Sequence, residues 1–376
     1  MKKKLGQILC DLINIPSYNE ISREHDIISY LKGSFAPYSE EIVTITTENN
    51  NCHLLIGLNT KLKDVKDCIV LSGHIDTVKP TNEHRPLALI CNGNINGLGS
   101  SDMKSFIASL IYSASILKKS KNPIVISITS DEEYDMYGIC GITKEMKSRN
   151  INPSLIIIGE PTNSKFSLSN NGNAIFIDVM HGKACHTSTP ELGINAINLS
   201  MRMVDEIEKI YEKFKNDCSI SVTNINGGTA PNIVPDSCEI RFSVRTNSKA
   251  VFEEIKNELK NKHNQISKND PHSSLVNLFT IPAFEYRESK YIDIIAKKNA
   301  IDFCRAKFTT EAGDFQLAYP NSSIIIFGPG NPNCIHKPGE NININQLHMY
   351  SQKLNSVVRD YNNLRRENNY ENEILF

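Results

Sequence analysis

No Cys-x-x-Cys pair occurs among the ten cysteines of this 376-residue chain, no apolar run approaches ~18 residues, and neither sign of charge dominates. The thiols are scattered, several of them inside apolar runs where a free cysteine packs as a small hydrophobe. That pattern excludes a disulfide framework and fits a reducing cytoplasm. The shortness of the apolar runs excludes a membrane-spanning helix. With 41 basic against 42 acidic residues, the formal net charge of −1 excludes the electrostatic footprint of a binder of nucleic acid or anionic membrane. The Lys2-Lys3-Lys4 run reads as the solvated start of a first helix. The apolar stretch behind it is cut by Asp11 and closed by Pro16, too early for a signal peptide. Internal repeats and long low-complexity tracts are missing as well.

What is present is an ordinary globular composition, 40% hydrophobic and 22% charged, on a chain longer than the ~250–300 residues that one core usually holds. Two domains are therefore expected. LGQILCDLINI and HDIISYLKGSF have helical spacing, CIVLSG is a buried-strand run, MKSFIASLIYSASILKK is a long helix, and IVISITS and LIIIG are further strands. Strand, helix and strand with short connections predict an α/β protein with a mostly parallel, helix-covered sheet. Near Asn170 to Gly172 the texture changes. From there to about Pro282 the strand AIFIDVM, a helix over Ile194 to Phe214, the strands SISVTNI and SCEIRFSVR, and a helix over Val251 to Lys262 form a smaller α+β unit. The expected division is a discontinuous domain of residues 1–170 and 281–376, interrupted by an inserted domain of residues 171–280. After Pro282 the first pattern resumes with a helix through Ala300, a turn at Thr310 to Gly313, the strand SIIIFG and a final helix from Gln346 to about Arg365. The tail from Glu367 is expected to fray.

Five residues of metal-ligand type each follow an apolar run: His74 after CIVLSG, Asp102 after NGLGSS, Glu133 after IVISITSD, Glu160 after LIIIG, and His336 after SIIIFGPG and a loop. One bridging carboxylate, plus a histidine and a carboxylate for each of two ions, is the inventory a two-metal hydrolase needs. In open α/β sheets such residues belong at the C-terminal ends of strands. Two residues past His74, Asp76 is placed to accept a hydrogen bond from the ring nitrogen that faces away from the metal. Asp102, at the mouth of the long helix, has an alternative reading as its N-cap. The GLGSSD segment is no dinucleotide motif, because the last glycine of GxGxxG is missing. The acidic run Asp131-Glu132-Glu133 ends a strand, and adjacent side chains diverge. Glu133 is assigned to the metal, and Glu132 to the proton that an activated water must give up. His336 lies in a loop flanked by glycine and proline, a placement common for site residues.

These segments carry a family resemblance. SGHIDTV, GLGSSDMK, TSDEE, GEPT and the late histidine resemble, in order and spacing, the M20 family of dinuclear zinc amidohydrolases over almost the whole chain. The resemblance implies that His74, Asp102 and Glu160 hold one metal, that Asp102, Glu133 and His336 hold the other, and that Asp102 bridges. It also implies Glu132 as general base and Asp76 as the residue that orients His74. The inserted domain would be a lid and dimerisation domain. There GKACHTSTPELGINAI supplies His186 to stabilise the oxyanion in a neighbouring active site, and GGTAPNIVPDSCEIRFSVR supplies Asn232 and Arg245 to bind a substrate carboxylate. Two zinc or cobalt ions and a homodimer are implied in the same way.

Within the family, GGTAPNIVP, DMK followed by SFIA, TEAGDFQ and the IHKPGEN loop look most like the acetylornithine deacetylase branch. The implied reaction is metal-assisted removal of an N-acetyl group from N-acetylornithine. Glu311 and Asp314 are the acids expected to meet the ammonium at the far end of that substrate. Departures touch the approach to the metals: Ser105 stands where glycine is usual, and NEHRPLALI, in a chain with no tryptophan, replaces an aromatic-rich stretch. Alternatives are a succinyl-diaminopimelate desuccinylase, a general hydrolase of N-acyl amino acids or dipeptides, and, from another class, a non-catalytic metal-binding relative.

Overall fold

The computed structural model describes residues 2–18, 24–84 and 87–374, so Arg85 and Pro86 of the divergent NEHRPLALI stretch lie outside the described residues. The chain divides into two compact units. One comprises residues 1–168, 286–306 and 310–376, and the other residues 169–285 and 307–309.

The first unit begins with α1 (Lys2–Asn14) and α2 (Glu24–Phe35), then β1 (Glu41–Thr46), β2 (Cys52–Gly57) and β3 (Lys66–His74). A short hairpin, β4 (Leu89–Cys91) and β5 (Asn94–Asn96), precedes α3 (Lys104–Leu117), β6 (Ile124–Thr129), α4 (Tyr137–Ser148), β7 (Asn152–Pro161) and β8 (Phe166–Ser167). The second unit contains β9 (Gly172–His181), α5 (Ala196–Phe214), β10 (Cys218–Gly227), β11 (Ser237–Thr246), α6 (Lys249–Ser267) and β12 (Ser274–Ile281). The chain then returns to the first unit with α7 (Lys290–Lys298), β13 (Phe303–Cys304), α8 (Ala312–Ala318), β14 (Ser323–Gly328), β15 (Asn341–Asn343) and α9 (Ile344–Ile374).

Eight strands form the main sheet in the order β1-β2-β6-β3-β7-β14-β8-β13. Strand β3 pairs in parallel with β6 on one side and β7 on the other, and β7 pairs in parallel with β14. Strands β1 and β2 add an antiparallel flank beside β6. The central strands are buried on both faces, which is why CIVLSG, IVISIT and LIIIG read as unbroken apolar runs rather than alternating ones. The chain steps from β3 to β6 on one side and then back across to β7 on the other. That reversal opens a crevice outside the C-terminal ends of these strands.

Helix α3 is buried along nearly its whole length, and two glycines let it lie against the sheet. A Cβ on Gly159 would stand 2.1 Å from the Phe106 ring, and one on Gly73 would stand 2.6 Å from Met103 Cε. These glycines immediately precede Glu160 and His74. Close packing of α3 on the sheet thus sets the height at which both side chains leave their strands.

The second unit is an antiparallel sheet ordered β10-β11-β9-β12. Strands β9 and β11 alternate buried and more exposed positions, and the buried set packs with Met203, Ile207, Ile255 and Leu259 of α5 and α6. Phe176 and Phe242 stack at its centre, 5.3 Å apart.

Several elements differ from the sequence expectation. β1, β2, the small β15-β5-β4 sheet and β12 were not anticipated. Helix α5 starts at Ala196 rather than Ile194, because Asn195 accepts the Asn198 N–H as its cap. The expected turn at Thr310 to Gly313 runs into helix α8, and α9 continues to Ile374 instead of fraying after Arg365.

Candidate metal centre

All five predicted ligands lie in the first unit, at the C-terminal edge of the main sheet. His74 ends β3, Glu160 is the penultimate residue of β7, and Glu132 and Glu133 follow β6. Asp102 precedes α3, and His336 lies in the loop between β14 and β15. His74 Nε2 stands 3.3 Å from Asp102 Oδ1, 3.6 Å from Glu160 Oε1 and 3.9 Å from Glu132 Oε2. His336 Nε2 stands 3.2 Å from Asp102 Oδ2 and 2.8 Å from Glu133 Oε1. The two oxygens of Asp102 therefore face different histidines, the arrangement a bridging carboxylate requires. Asp102 is not the helix cap: Met103 occupies that position, with no side-chain cap bond.

Crowding of this kind is electrostatically expensive. Burial, followed by the neighbouring Glu133, Asp102 and Asp76, pushes Glu132 well above the usual carboxylate range despite the opposing pull of His74. Glu160 is raised well above it too, by burial and then by Asp102 and Glu132, and Glu133 is raised mainly by burial. Asp102 resists burial because His336 and His74 hold its charge, and it moves down. Contact with Asp102 and Glu133 lifts His336 to about 10. Burial opposes a charge on His74, yet Asp102, Asp76, Glu160 and Glu132 outweigh it and raise the ring well above its ordinary value.

Divalent cations fit this set. His74 Nε2 and Asp102 Oδ1 are buried and make no hydrogen bond; they face each other in a geometry unsuited to one. His74, Asp102 and Glu133 offer three ligand atoms within 4.8 Å of one another, and so do His74, Glu132 and Glu160. Imidazole nitrogens with carboxylate oxygens are a donor set for borderline divalent metals.

Asp76 is placed as expected but bonded differently. The His74 Nδ1 bond goes to the Asp76 backbone carbonyl at 3.0 Å, while the carboxylate lies 3.4 Å away. Strand β3 ends at His74, so the two residues do not share strand geometry. The Asp76 carboxylate instead accepts the backbone N–H groups of Glu132 at 3.2 Å and Glu133 at 2.9 Å, tying the loop after β6 to the loop after His74. Asp131, the first acid of the run, turns away from the cluster. It is fully buried, accepts the Gly138 N–H through both oxygens, and is pushed up to about 8, first by burial and then by Asp76.

Glu311 corrects the sequence reading. It is buried, and its oxygens accept from Ser72 Oγ at 3.2 Å and Thr129 Oγ1 at 2.6 Å, so it presents no open carboxylate to a substrate cation. Asp314, in the first turn of α8, is half-buried and raised to about 7 by burial and by Glu311. Sequence reasoning missed Glu340, a buried acid in the loop after His336. Its only signal was an acid placed four residues beyond a predicted ligand.

The remaining candidates lie in the second unit. His186 is exposed, and its Nδ1 accepts the Ser188 backbone N–H at 3.1 Å and meets Ser188 Oγ at 2.8 Å. An accepting Nδ1 puts the proton of the neutral ring on Nε2, which is then a donor. Asn232 is exposed, and its carbonyl accepts the Thr187 N–H. Arg245 is half-buried on β11, with Nη1 3.4 Å from Thr309 Oγ1.

Comparison with known proteins agrees with this geometry. A family model described as a peptidase dimerisation domain matches residues 169–271. An acetylornithine deacetylase from Buchnera aphidicola subsp. Schizaphis graminum is 30% identical, with 93% of this chain and 96% of that protein aligned. One from Pasteurella multocida is 31% identical over 72% of this chain and 75% of its own. In fold, aminopeptidase PepT from Bacillus cereus superposes with a TM-score of 0.79 at 18% identity, covering 96% of this chain and 99% of that one. A dinuclear metal-binding peptidase of the M20 family from Bacillus subtilis gives 0.67 at 15% identity, over 95% and 97% of the two chains. The chain belongs to the M20 family of metal-dependent amidohydrolases, alongside the acetylornithine deacetylases.

Proposed function

We propose that this protein removes the acetyl group from N-acetylornithine, giving ornithine and acetate, with two zinc or cobalt ions. The observation that carries the mechanism is the splitting of Asp102 between His74 and His336, with Glu132 beside them. The choice of substrate is supported by the relatives at about 30% identity, which are acetylornithine deacetylases. In this reading His74, Asp102 and Glu160 hold one ion, and Asp102, Glu133 and His336 hold the other. The ions would supply a nucleophile at neutral pH and positive charge opposite the scissile carbonyl.

The chain's own groups do the rest. Glu132, held well above the usual carboxylate range by burial and neighbouring acids, accepts the proton of the attacking water and returns it to the leaving amine. Asp76 keeps that carboxylate in place by holding its backbone amide. His186 reaches a neighbouring active site and donates there from Nε2 to the developing oxyanion, and Asn232 and Arg245 bind the substrate carboxylate. Asp314 takes over the contact with the far ammonium that Glu311, already committed, cannot make. The second unit also pairs two copies of the chain, a reading supported by the dimerisation-domain match. A reducing compartment accords with ten free thiols. Among the described residues no helix is long and apolar enough to cross a membrane.

The test is release of free amine from N-acetylornithine, N-succinyl-diaminopimelate, N-acetyl amino acids and dipeptides, using metal-stripped protein before and after zinc or cobalt is restored. Metal-dependent turnover led by acetylornithine is the expected result. Preference for another acyl substrate overturns the choice of substrate, and absence of turnover with both ions bound overturns the activity.

A further inference from the structure

Glu340 is buried, with 2% of its surface exposed, yet it is neither a ligand nor part of the proton path. Its carboxylate grips the backbone of the loop that carries Asp102. Oε1 accepts the N–H groups of Ser101 at 2.7 Å and Asp102 at 3.0 Å, and Oε2 accepts that of Gly99 at 3.2 Å. The Glu340 carbonyl accepts the Gly97 N–H at 3.0 Å, so four positions between Gly97 and Asp102 of one loop are anchored on a single residue of another.

The second loop is the one that carries His336, four residues earlier. Further bonds fasten the pair: Ser101 Oγ donates to the Asn341 carbonyl at 3.0 Å and accepts the Asn331 N–H at 3.2 Å. None of these bonds belongs to a helix or a strand ladder. Three backbone N–H groups on one carboxylate fix both its position and theirs. Asp102 must aim one oxygen at His74 and the other at His336, and that aim depends on the backbone Glu340 holds. His74 and Glu160, by contrast, leave the ends of β3 and β7, which the sheet fixes without help.

We propose that Glu340 is a positioning residue for the ion held by Asp102, Glu133 and His336. By locking the Asp102 and His336 loops into one register, it sets the affinity of that site without touching the ion. The inference rests on the two-metal reading above. It makes an asymmetric demand: losing the carboxylate weakens the site with two tethered ligands more than the site of His74 and Glu160, which shares only Asp102.

The experiment is titration of metal-free wild type, Glu340→Gln and Glu340→Asp with Co(II), followed by calorimetry and by the visible absorption of the bound ion. Wild type takes up two equivalents. In Glu340→Gln an amide nitrogen replaces one acceptor and opposes a backbone N–H. One equivalent then binds nearly as in wild type and the other binds about 10–100-fold more weakly, the usual cost of removing a partner behind a ligand. Glu340→Asp keeps the charge on a shorter stem and falls in between, and it carries the test if the glutamine variant does not fold. Two equivalents bound by Glu340→Gln with wild-type affinity, or both weakened equally, overturns the role of Glu340. Fewer than two equivalents on wild type overturns the two-metal reading beneath it, a separate and recognisable failure.

Discussion

The functional candidates of the two units are held in opposite ways. At the edge of the main sheet, His74, Asp102 and Glu160 are buried, and the backbones around them are fixed by carboxylates such as Asp76 and Glu340. In the second unit, His186 and Asn232 are exposed, and the His186 ring is held by Ser188, two residues away. The difference follows from charge. Like-charged carboxylates brought together repel unless their positions are enforced, so a cation site must be built before the cation arrives. Groups that meet a neutral amide or a single carboxylate carry no such penalty and can remain adaptable.

This contrast can be broken by mutation. The largest effect is expected at Glu132, where replacement by Gln keeps the shape and removes the proton acceptor. Turnover should fall by about 10²–10⁴-fold while both ions stay bound, as measured by steady-state kinetics with metal analysis. Loss of an ion together with activity would move Glu132 from base to ligand, a role its place beside His74 and Glu160 also permits. His186→Ala comes next. It should lower kcat by about 10²–10³-fold without changing metal content, because its unit supplies a donor and no ligand. A change in metal affinity would erase the distinction between the units.

The smallest effect concerns stability and bears on how the loop of Glu132 is held. His53 is buried, accepts the Ser130 N–H on Nδ1, and is pushed down to about 4 by burial, against the pull of Asp76. Unfolded, the same ring titrates near 6.5. Its contribution is therefore intact above pH 6.5 and is lost as pH falls toward 4, where the unfolded chain takes up a proton that the folded one refuses. Between pH 7.5 and 5, wild type should lose about 2 kcal/mol more stability than His53→Gln, as read from urea unfolding of the metal-free proteins.

The sequence was legible where one physical rule dominated. Strands buried on both faces announced themselves as apolar runs, and His74, Glu133, Glu160 and, after a loop, His336 followed such runs, so most of the edge of the main sheet could be read directly. β1 and β12 escaped because their alternation is weak, and the β15-β5-β4 sheet because its strands are only three residues long. Within the acidic run the types of side chain were clear, but their directions were not. Asp131 turns inward to Gly138 while its neighbours face the cluster, and nothing in three consecutive acids reveals that. Glu311 looked like a free acid because Ser72 and Thr129, its partners, are about 240 and 180 residues away along the chain. Bonds between side chain and distant backbone, such as those of Asp76 and Glu340, leave no periodic trace at all.

The central claim is that this cluster holds two catalytic ions. It is tested most directly by stripping the protein of metal, adding zinc in fractional equivalents, and following both bound metal and amide hydrolysis. The account predicts negligible turnover in the stripped protein, uptake of two equivalents, and an Asp102→Asn variant that neither retains both ions nor hydrolyses. Wild-type turnover in the stripped protein, or in an Asp102→Asn variant, would contradict it.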